Sequence, residues 1–252
     1  MEVVTSSHRN GLALIESDPD LGSLWQELIK VIQSISDEEI LMKFRNNARE
    51  AKSISEAIND LIDEKLIGKS WERQSRIFKK REYESKTWTL DFSKSIKRKD
   101  GSLTGVAVEV AFKHGEAIAW NLIKPSLAAE INHLEKETDI GSGIGVFICA
   151  SKALKDAGGF DNAVGEYEKV LKYLTPLAQM IATPLIIVGL QAPASFRIEP
   201  VLDKSKNKKI GKVVEYKPLL DEAIRLSAHK PDSVLLVDRG LAKMAITEGR
   251  DL

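Results

Sequence analysis

Two stretches, Lys86-Thr-Trp-Thr-Leu-Asp-Phe92 and Gly105-Val-Ala-Val-Glu-Val-Ala-Phe-Lys113, decide how this chain folds. In the first, Trp88, Leu90 and Phe92 fall on one face, with Thr89 and Asp91 on the other. In the second, Val106, Val108, Val110 and Phe112 oppose Ala107, Glu109, Ala111 and Lys113. A period of two is the signature of a strand. Lys99-Asp-Gly-Ser102 between them is a turn signal, so the two runs predict an antiparallel hairpin.

Outside the hairpin the period lengthens. Leu24, Trp25, Leu28, Val31 and Ile32 recur at helical spacing and predict a helix over Leu21–Ile35. Ser36-Asp-Glu-Glu39 and Ser53-Ile-Ser-Glu56 both have the form of a capping box, each opening a further helix. After the hairpin, Glu116–Leu134 reads as a long amphipathic helix carrying Trp120, Ile123, Leu127 and Ile131. Ile144–Ala150 and Pro184–Leu190 are short apolar runs that predict buried strands, and Asp161–Leu174 between them reads as helical. The tail holds a helix near Pro218–Ser227 and a strand over Ser233–Asp238. The sum is an α/β fold: a mixed sheet in which the hairpin is extended by buried strands, with helices on both faces.

Composition narrows the class. With 252 residues, 43% hydrophobic and 29% charged, the chain can bury a sizeable core unaided. Its one cysteine, Cys149, sits in an apolar run and excludes a disulfide framework within the chain. The Met-Glu-Val-Val start has no basic-then-apolar leader pattern, and no apolar stretch is long enough to span a bilayer, so the cytoplasm is the expected location. Net charge is zero, but it is unevenly spread: Met1–Glu64 holds 6 Lys/Arg against 13 Asp/Glu, and Lys65–Asp100 holds 12 against 5. A second basic stretch contains Lys204, Lys206, Lys208, Lys209 and Lys212. Segregated basic surface suits a polyanion, though solvated loops and helix faces read the same way. Gly141-Ser-Gly-Ile-Gly145 precedes a strand, where a phosphate-cradling loop would follow one and open a helix. No nucleophile elbow accompanies the four histidines.

The hairpin puts Asp91 and Glu109 on neighbouring strands. Two carboxylates brought together repel unless a cation lies between them, and hard oxygen donors suit Mg²⁺. Such an ion lowers the pKa of bound water and neutralises charge growing on a phosphate. Lys113 follows Glu109 on the same face and His114 comes next. A salt-bridged edge strand is the competing reading.

The order of these elements resembles the PD-(D/E)XK nuclease core, and more narrowly the BamHI and BglII group of type II restriction endonucleases. The resemblance runs from Ser53 to Pro193. It is carried by Ile54-Ser-Glu56-Ala, Thr89-Leu-Asp91-Phe, Gly105-Val-Ala-Val-Glu109-Val-Ala-Phe, Asp139-Ile-Gly-Ser-Gly-Ile-Gly-Val-Phe-Ile, Phe160-Asp-Asn-Ala-Val-Gly-Glu-Tyr-Glu168 and Pro184-Leu-Ile-Ile-Val-Gly-Leu. It implies a single restriction-endonuclease domain, with a helical part at 1–52, a catalytic core at 53–193 and a DNA-contacting part at 194–252. It makes Asp91 and Glu109 the metal carboxylates, with Glu56 completing the site unless it is only a capping residue. The group's third active residue, lysine in the general motif and glutamate or glutamine here, falls on Ala111, which can neither bind metal nor handle a proton. Lys113, or else His114, is then expected to replace it. The resemblance further implies Mg²⁺-dependent cutting of double-stranded DNA at a short palindrome, leaving 5′-phosphate ends. It also implies base or phosphate contacts from Asp161, Asn162, His114, Lys208 and Lys209, a homodimer built on the helix from Glu116, and a companion DNA methyltransferase. A DNA-binding relative with an impaired site, or an unrelated α/β ligand- or protein-binding domain, are the alternatives.

Overall fold

The structure, a computed structural model, describes residues 1–47, 50–112, 115–130, 136–138, 140–141, 143–204, 207–226, 233–238 and 243–247. The chain opens with a strand the periodicity does not announce, β1 (Val3–His8), followed by helices α1 (Gly11–Ser17), α2 (Pro19–Gln33), α3 (Asp37–Arg45) and α4 (Ser55–Ile67). Asp18 caps α2, accepting from Asp20 N and Leu21 N. The capping box expected at Ser36 forms in full, with Glu39 reaching back to the Ser36 amide. The one expected at Ser53 does not. Ile54 is the N-cap of α4 without a side-chain hydrogen bond, and Ser53 Oγ instead meets Ser55 Oγ at 2.9 Å.

The hairpin is present, with shifted bounds. A short strand β2 (Glu72–Arg76) precedes it, and Lys86–Trp88 is a 3-10 turn. The strands proper are β3 (Thr89–Lys97) and β4 (Leu103–Ala111). Next come α5 (Ile118–Ala129), β5 (Ile144–Ala150), α6 (Lys152–Ala157), α7 (Tyr167–Leu177) and β6 (Leu185–Leu190). The helix expected to reach Leu134 ends at Ala129, where Glu130 turns to extended backbone. The helix expected from Asp161 starts only at Tyr167, with Glu166 at the N-cap position but making no capping bond, so Asp161 and Asn162 lie in the loop before it. The chain closes with β7 (Phe196–Asp203), β8 (Lys208–Glu215), α8 (Tyr216–Leu226), β9 (Ser233–Asp238) and β10 (Lys243–Thr247).

Six strands form one mixed sheet in the order β1-β6-β5-β4-β3-β2. The two central pairings, β4–β5 and β5–β6, are parallel, and the flanking three are antiparallel. Every residue of β5 and β6 is buried, which is why both read as continuous apolar runs. One face of the sheet carries the main core, where Val106, Val108, Val146 and Ile186 meet Leu24, Leu28 and Ile32 of α2 and Ile58 and Leu61 of α4. The other face packs α5 and α7: Ala111, Phe147, Cys149 and Ile187 meet Ile118, Leu122, Val170 and Leu174. Cys149 is fully buried, and burial pushes its thiol up, the chemistry of an inert core residue. β7 and β8 make a separate two-stranded ribbon, as do β9 and β10. Gly141 explains the glycine run before β5. It holds φ at +55° and lies so close to β4 that a Cβ there would sit 2.0 Å from the Leu103 carbonyl oxygen.

Candidate active site

The β3–β4 ladder begins at Phe92 opposite Val108 and runs to Lys97 opposite Leu103. N-terminal to Phe92 the two strands part, and the carboxylates sit at that fork. Leu90 and Phe92, expected on one face, belong to different cores. Phe92 joins the α2–α4 side, while Leu90 packs with Ala107 and Ala128 on the α5 side. Between them, Asp91 is turned into a cleft shared with Asn59, Asp60 and Asp63 of α4, Arg73 and Gln74 of β2, and Val110 of β4.

Asp91 is held from two sides. Its Oδ2 accepts from Val110 N at 2.8 Å, filling the place a ladder bond would have taken. Its Oδ1 accepts from Gln74 Nε2 at 3.3 Å. Gln74 is unusual: the β2–β3 register runs unbroken on either side of it, yet its φ is +53°. A glutamine held in the left-handed region costs about 1 kcal/mol or more, and such strain gathers at functional sites. Here it aims an amide at Asp91. Arg73, next to it, is tied to Asp63 at 2.6 Å.

Glu109 leaves β4 on the α5 side. It is buried, and its Oε1 pairs with Lys124 of α5, whose Nζ also donates to the Thr89 carbonyl at 3.1 Å. Lys124 was not among the residues expected from sequence, because a lysine inside an amphipathic helix reads as a solvated position. Ala111, two residues on, lies in the apolar cluster with Ile118, Leu122 and Phe147. Its small side chain lets α5 sit close to β4.

Asp91 and Glu109 therefore stand at one fork, and the other expected residues are distributed as follows. Glu56 lines a neighbouring groove with Met42, Asn47 and Asp60 and accepts from Asn47 Nδ2 at 2.8 Å. It does not line the Asp91 cleft, to which α4 gives Asn59, Asp60 and Asp63. Lys113 and His114 lie outside the described residues. Among the described residues no three His, Cys, Asp or Glu side chains converge as a metal cluster. The donor chemistry at the fork still fits a hard divalent cation of the kind held by one or two carboxylates with water completing the shell. Asp91, in the open cleft, is the carboxylate that such an ion would meet first, while Glu109 is buried against Lys124.

A second cleft gathers the residues expected to face DNA. Asp161 and Asn162 line it with Lys52, Phe160, Pro200 and Lys209. Lys52 is paired with Asp161. Gly159 sets the loop down: at φ +73°, a Cβ there would lie 2.6 Å from the Lys52 carbonyl oxygen. Lys208 is outside this lining and stands opposite Asp203 on the β7–β8 ribbon.

The chain belongs to the restriction endonuclease BglII/BglIII family, whose model matches residues 3–190. The crystal structure of restriction endonuclease BglII complexed with a DNA 16-mer covers 86% of this chain and all of its own, with a TM-score of 0.56 and 16% identity. Curated relatives match over short stretches only. The propionate–CoA ligase of Salmonella typhimurium is 64% identical over 42 residues, 17% of this chain. The mitochondrial acyl-CoA synthetase short-chain family member 3 of Rattus norvegicus is 45% identical over 60 residues, 23% of this chain. The chain spans about 7% of the length of each of these two proteins.

Proposed function

We propose that the chain is a type II restriction endonuclease, hydrolysing DNA phosphodiester bonds at a short palindrome with Mg²⁺ and leaving 5′-phosphate ends. The observation that carries this reading is the pair Asp91 and Glu109 at the fork of β3 and β4, in a chain of this family. Asp91 is kept aligned by Val110 N and Gln74, and Glu109 by Lys124. Bound there, Mg²⁺ would supply a water of lowered pKa and positive charge for the phosphate. The protein's own part is to fix two carboxylate directions before the substrate arrives, so that little reorganisation is left for the reaction.

Double-stranded DNA is the substrate this reading requires. Asp161 and Asn162 are exposed in one cleft with Lys52 and Lys209, which supports their reading as contacts to bases and phosphates. Asparagine pairs with adenine and aspartate accepts from cytosine. A palindrome calls for a two-fold dimer. Ile123 of α5 supports one, because it is half-buried on the outer side of that helix, while Ile118, Leu122 and Ala128 are buried and Trp120 and Leu127 pack against Trp88 and the cluster around Leu90. A cytoplasmic location and a companion DNA methyltransferase belong to the same reading. Among the described residues no helix is long and apolar enough to cross a membrane.

The test is digestion of a long duplex of known sequence by purified protein, with Mg²⁺ and with EDTA, beside Asp91→Asn. Discrete fragments that need Mg²⁺ and vanish in the variant are the expected result. Salt-sensitive binding without cutting would instead favour an impaired relative, the reading that Ala111 suggests. Neither cutting nor binding would reject both.

A further inference from the structure

We infer that Lys124 is the basic residue of the cleavage site, delivered from α5 to a strand that carries alanine where a polar third residue is expected. The inference rests on the nuclease reading above. Glu109 and Ala111 leave β4 on the same side, toward α5. Position 111 is closed to a polar side chain because it is packed against Ile118 and Leu122. Lys124, on the same helix, brings its ammonium to the fork itself. There it is shared between Glu109 and the Thr89 carbonyl, two residues before Asp91.

Burial argues for function over fastening. The Lys124 side chain is 9% exposed and that of Glu109 6%. A lysine that only covers apolar surface keeps its head in water. A buried ion pair that only fastened a helix would be matched or bettered by two apolar side chains. The helix has other moorings: Ile118 and Leu122 in the core, and Trp120 Nε1 donating to the Thr87 carbonyl at 3.3 Å. A charge retained at that depth fits work on charge. At the fork, Lys124 fixes the direction of Glu109 and places positive charge beside a phosphate that becomes more negative as the bond breaks.

The experiment compares the full chain with Lys124→Met, Lys124→Arg and Asp91→Asn. Each is read by thermal melting with and without Mn²⁺, and by single-turnover cutting of a duplex with Mg²⁺ or Mn²⁺. Lys124→Met is expected to melt lower without metal and to recover its melting temperature in saturating Mn²⁺, because the divalent ion replaces the lost partner of Glu109. Its cutting rate stays at least a hundredfold below that of the unaltered chain. Recovery of melting temperature and cutting together would mean that Lys124 is only a fastening, and the assignment is overturned. If Lys124→Met does not fold even with Mn²⁺, Lys124→Arg decides. It keeps the ion pair and the fold, and a tenfold or greater loss of rate supports the assignment, whereas an unchanged rate overturns it. If the unaltered chain does not cut, the nuclease reading fails and takes this assignment with it. If the unaltered chain cuts, Asp91→Asn does not and Lys124→Met does, this assignment fails alone.

Discussion

At the scale of the residue, the fork depends on a conformation that few side chains accept. Gln74 sits at φ +53° in the middle of an otherwise regular ladder, with its amide on Asp91. Glycine would hold that backbone without steric cost, but would leave Asp91 Oδ1 without the amide. Gln74→Gly is therefore expected to keep thermal stability within about 1 kcal/mol, since relief of strain offsets the larger entropy of the unfolded chain. Its cutting rate should fall tenfold or more. Melting curves alongside single-turnover rates separate the two effects, and a variant that lost stability and kept its rate would refute the assignment of Gln74. Asp91 and Glu109 stand out in the sequence as candidates because a carboxylate in an alternating apolar strand needs a reason to be there. Gln74 and Lys124 were not. A positive φ leaves no mark when the residue is neither glycine nor asparagine, and a helical lysine looks the same whether its head lies in water or under a sheet.

At the scale of the element, strands and helices were legible where their apolar period was clean. β4, β5, β6, α2 and α4 fall close to where alternation, apolar runs and helical spacing put them. β2, β7 and β8 escaped, because polar and half-exposed strands carry no period to read. The two capping-box patterns show the limit of local sequence. Both have the right residues, but at the second Glu56 is engaged by Asn47 and the helix starts one residue late for the pattern, with Ile54 in place of Ser53 as its N-cap. The first gives a prediction in pH. Lys65, at 2.7 Å, and then the Ser36 amide hold the Glu39 carboxyl below its ordinary value of 4.5. A depressed carboxylate contributes stability that is complete above 4.5 and is lost as pH falls through the lower folded value. Glu39→Gln keeps the capping bond to the Ser36 amide and loses the charge toward Lys65, so it should cost about 0.5 kcal/mol near neutrality, and the difference should close toward acid. Unfolding midpoints of both proteins between pH 7 and pH 3 would check it, and a gap that widens toward acid would refute the sign.

At the scale of the molecule, two features lie far apart in sequence and meet only through the fold. The first is the basic side of the second cleft, where Lys209 of the β7–β8 ribbon comes to Asp161 and Asn162. If Lys209 and Lys208 each neutralise one phosphate, Lys208→Ala/Lys209→Ala should lower the slope of log binding constant against log salt by about two. A salt series of binding titrations on duplex DNA measures that slope directly, and an unchanged slope would remove the ribbon from the interface. The basic stretch is visible in the sequence despite the neutral net charge, but its meeting with the Asp161 loop comes only through the fold.

The second feature is α5, which carries a different task on each side. Its inner side brings Lys124 to Glu109 and packs Leu122 into the core. Its outer stripe of Trp120, Ile123 and Leu127 is half buried, with Trp120 on Trp88 and Leu127 on the Leu90–Ala128 cluster, so that Ile123 is the residue of it open to a partner. If that stripe is the two-fold interface, association and the placing of Lys124 run through the same helix, and two cutting sites are held at a fixed separation on opposite strands. Ile123→Glu puts a charge on the outer side without touching the inner one. It should shift the protein from dimer to monomer in sedimentation at micromolar concentration while leaving its melting in dilute solution nearly unchanged. Because a single protomer can address only one strand, the product on a supercoiled plasmid should change from linear to nicked circles. A variant that remained dimeric and linearised the plasmid would place the interface elsewhere. A monomer that still linearised it in one encounter would break the link between symmetry and double-strand cutting on which the palindrome argument stands.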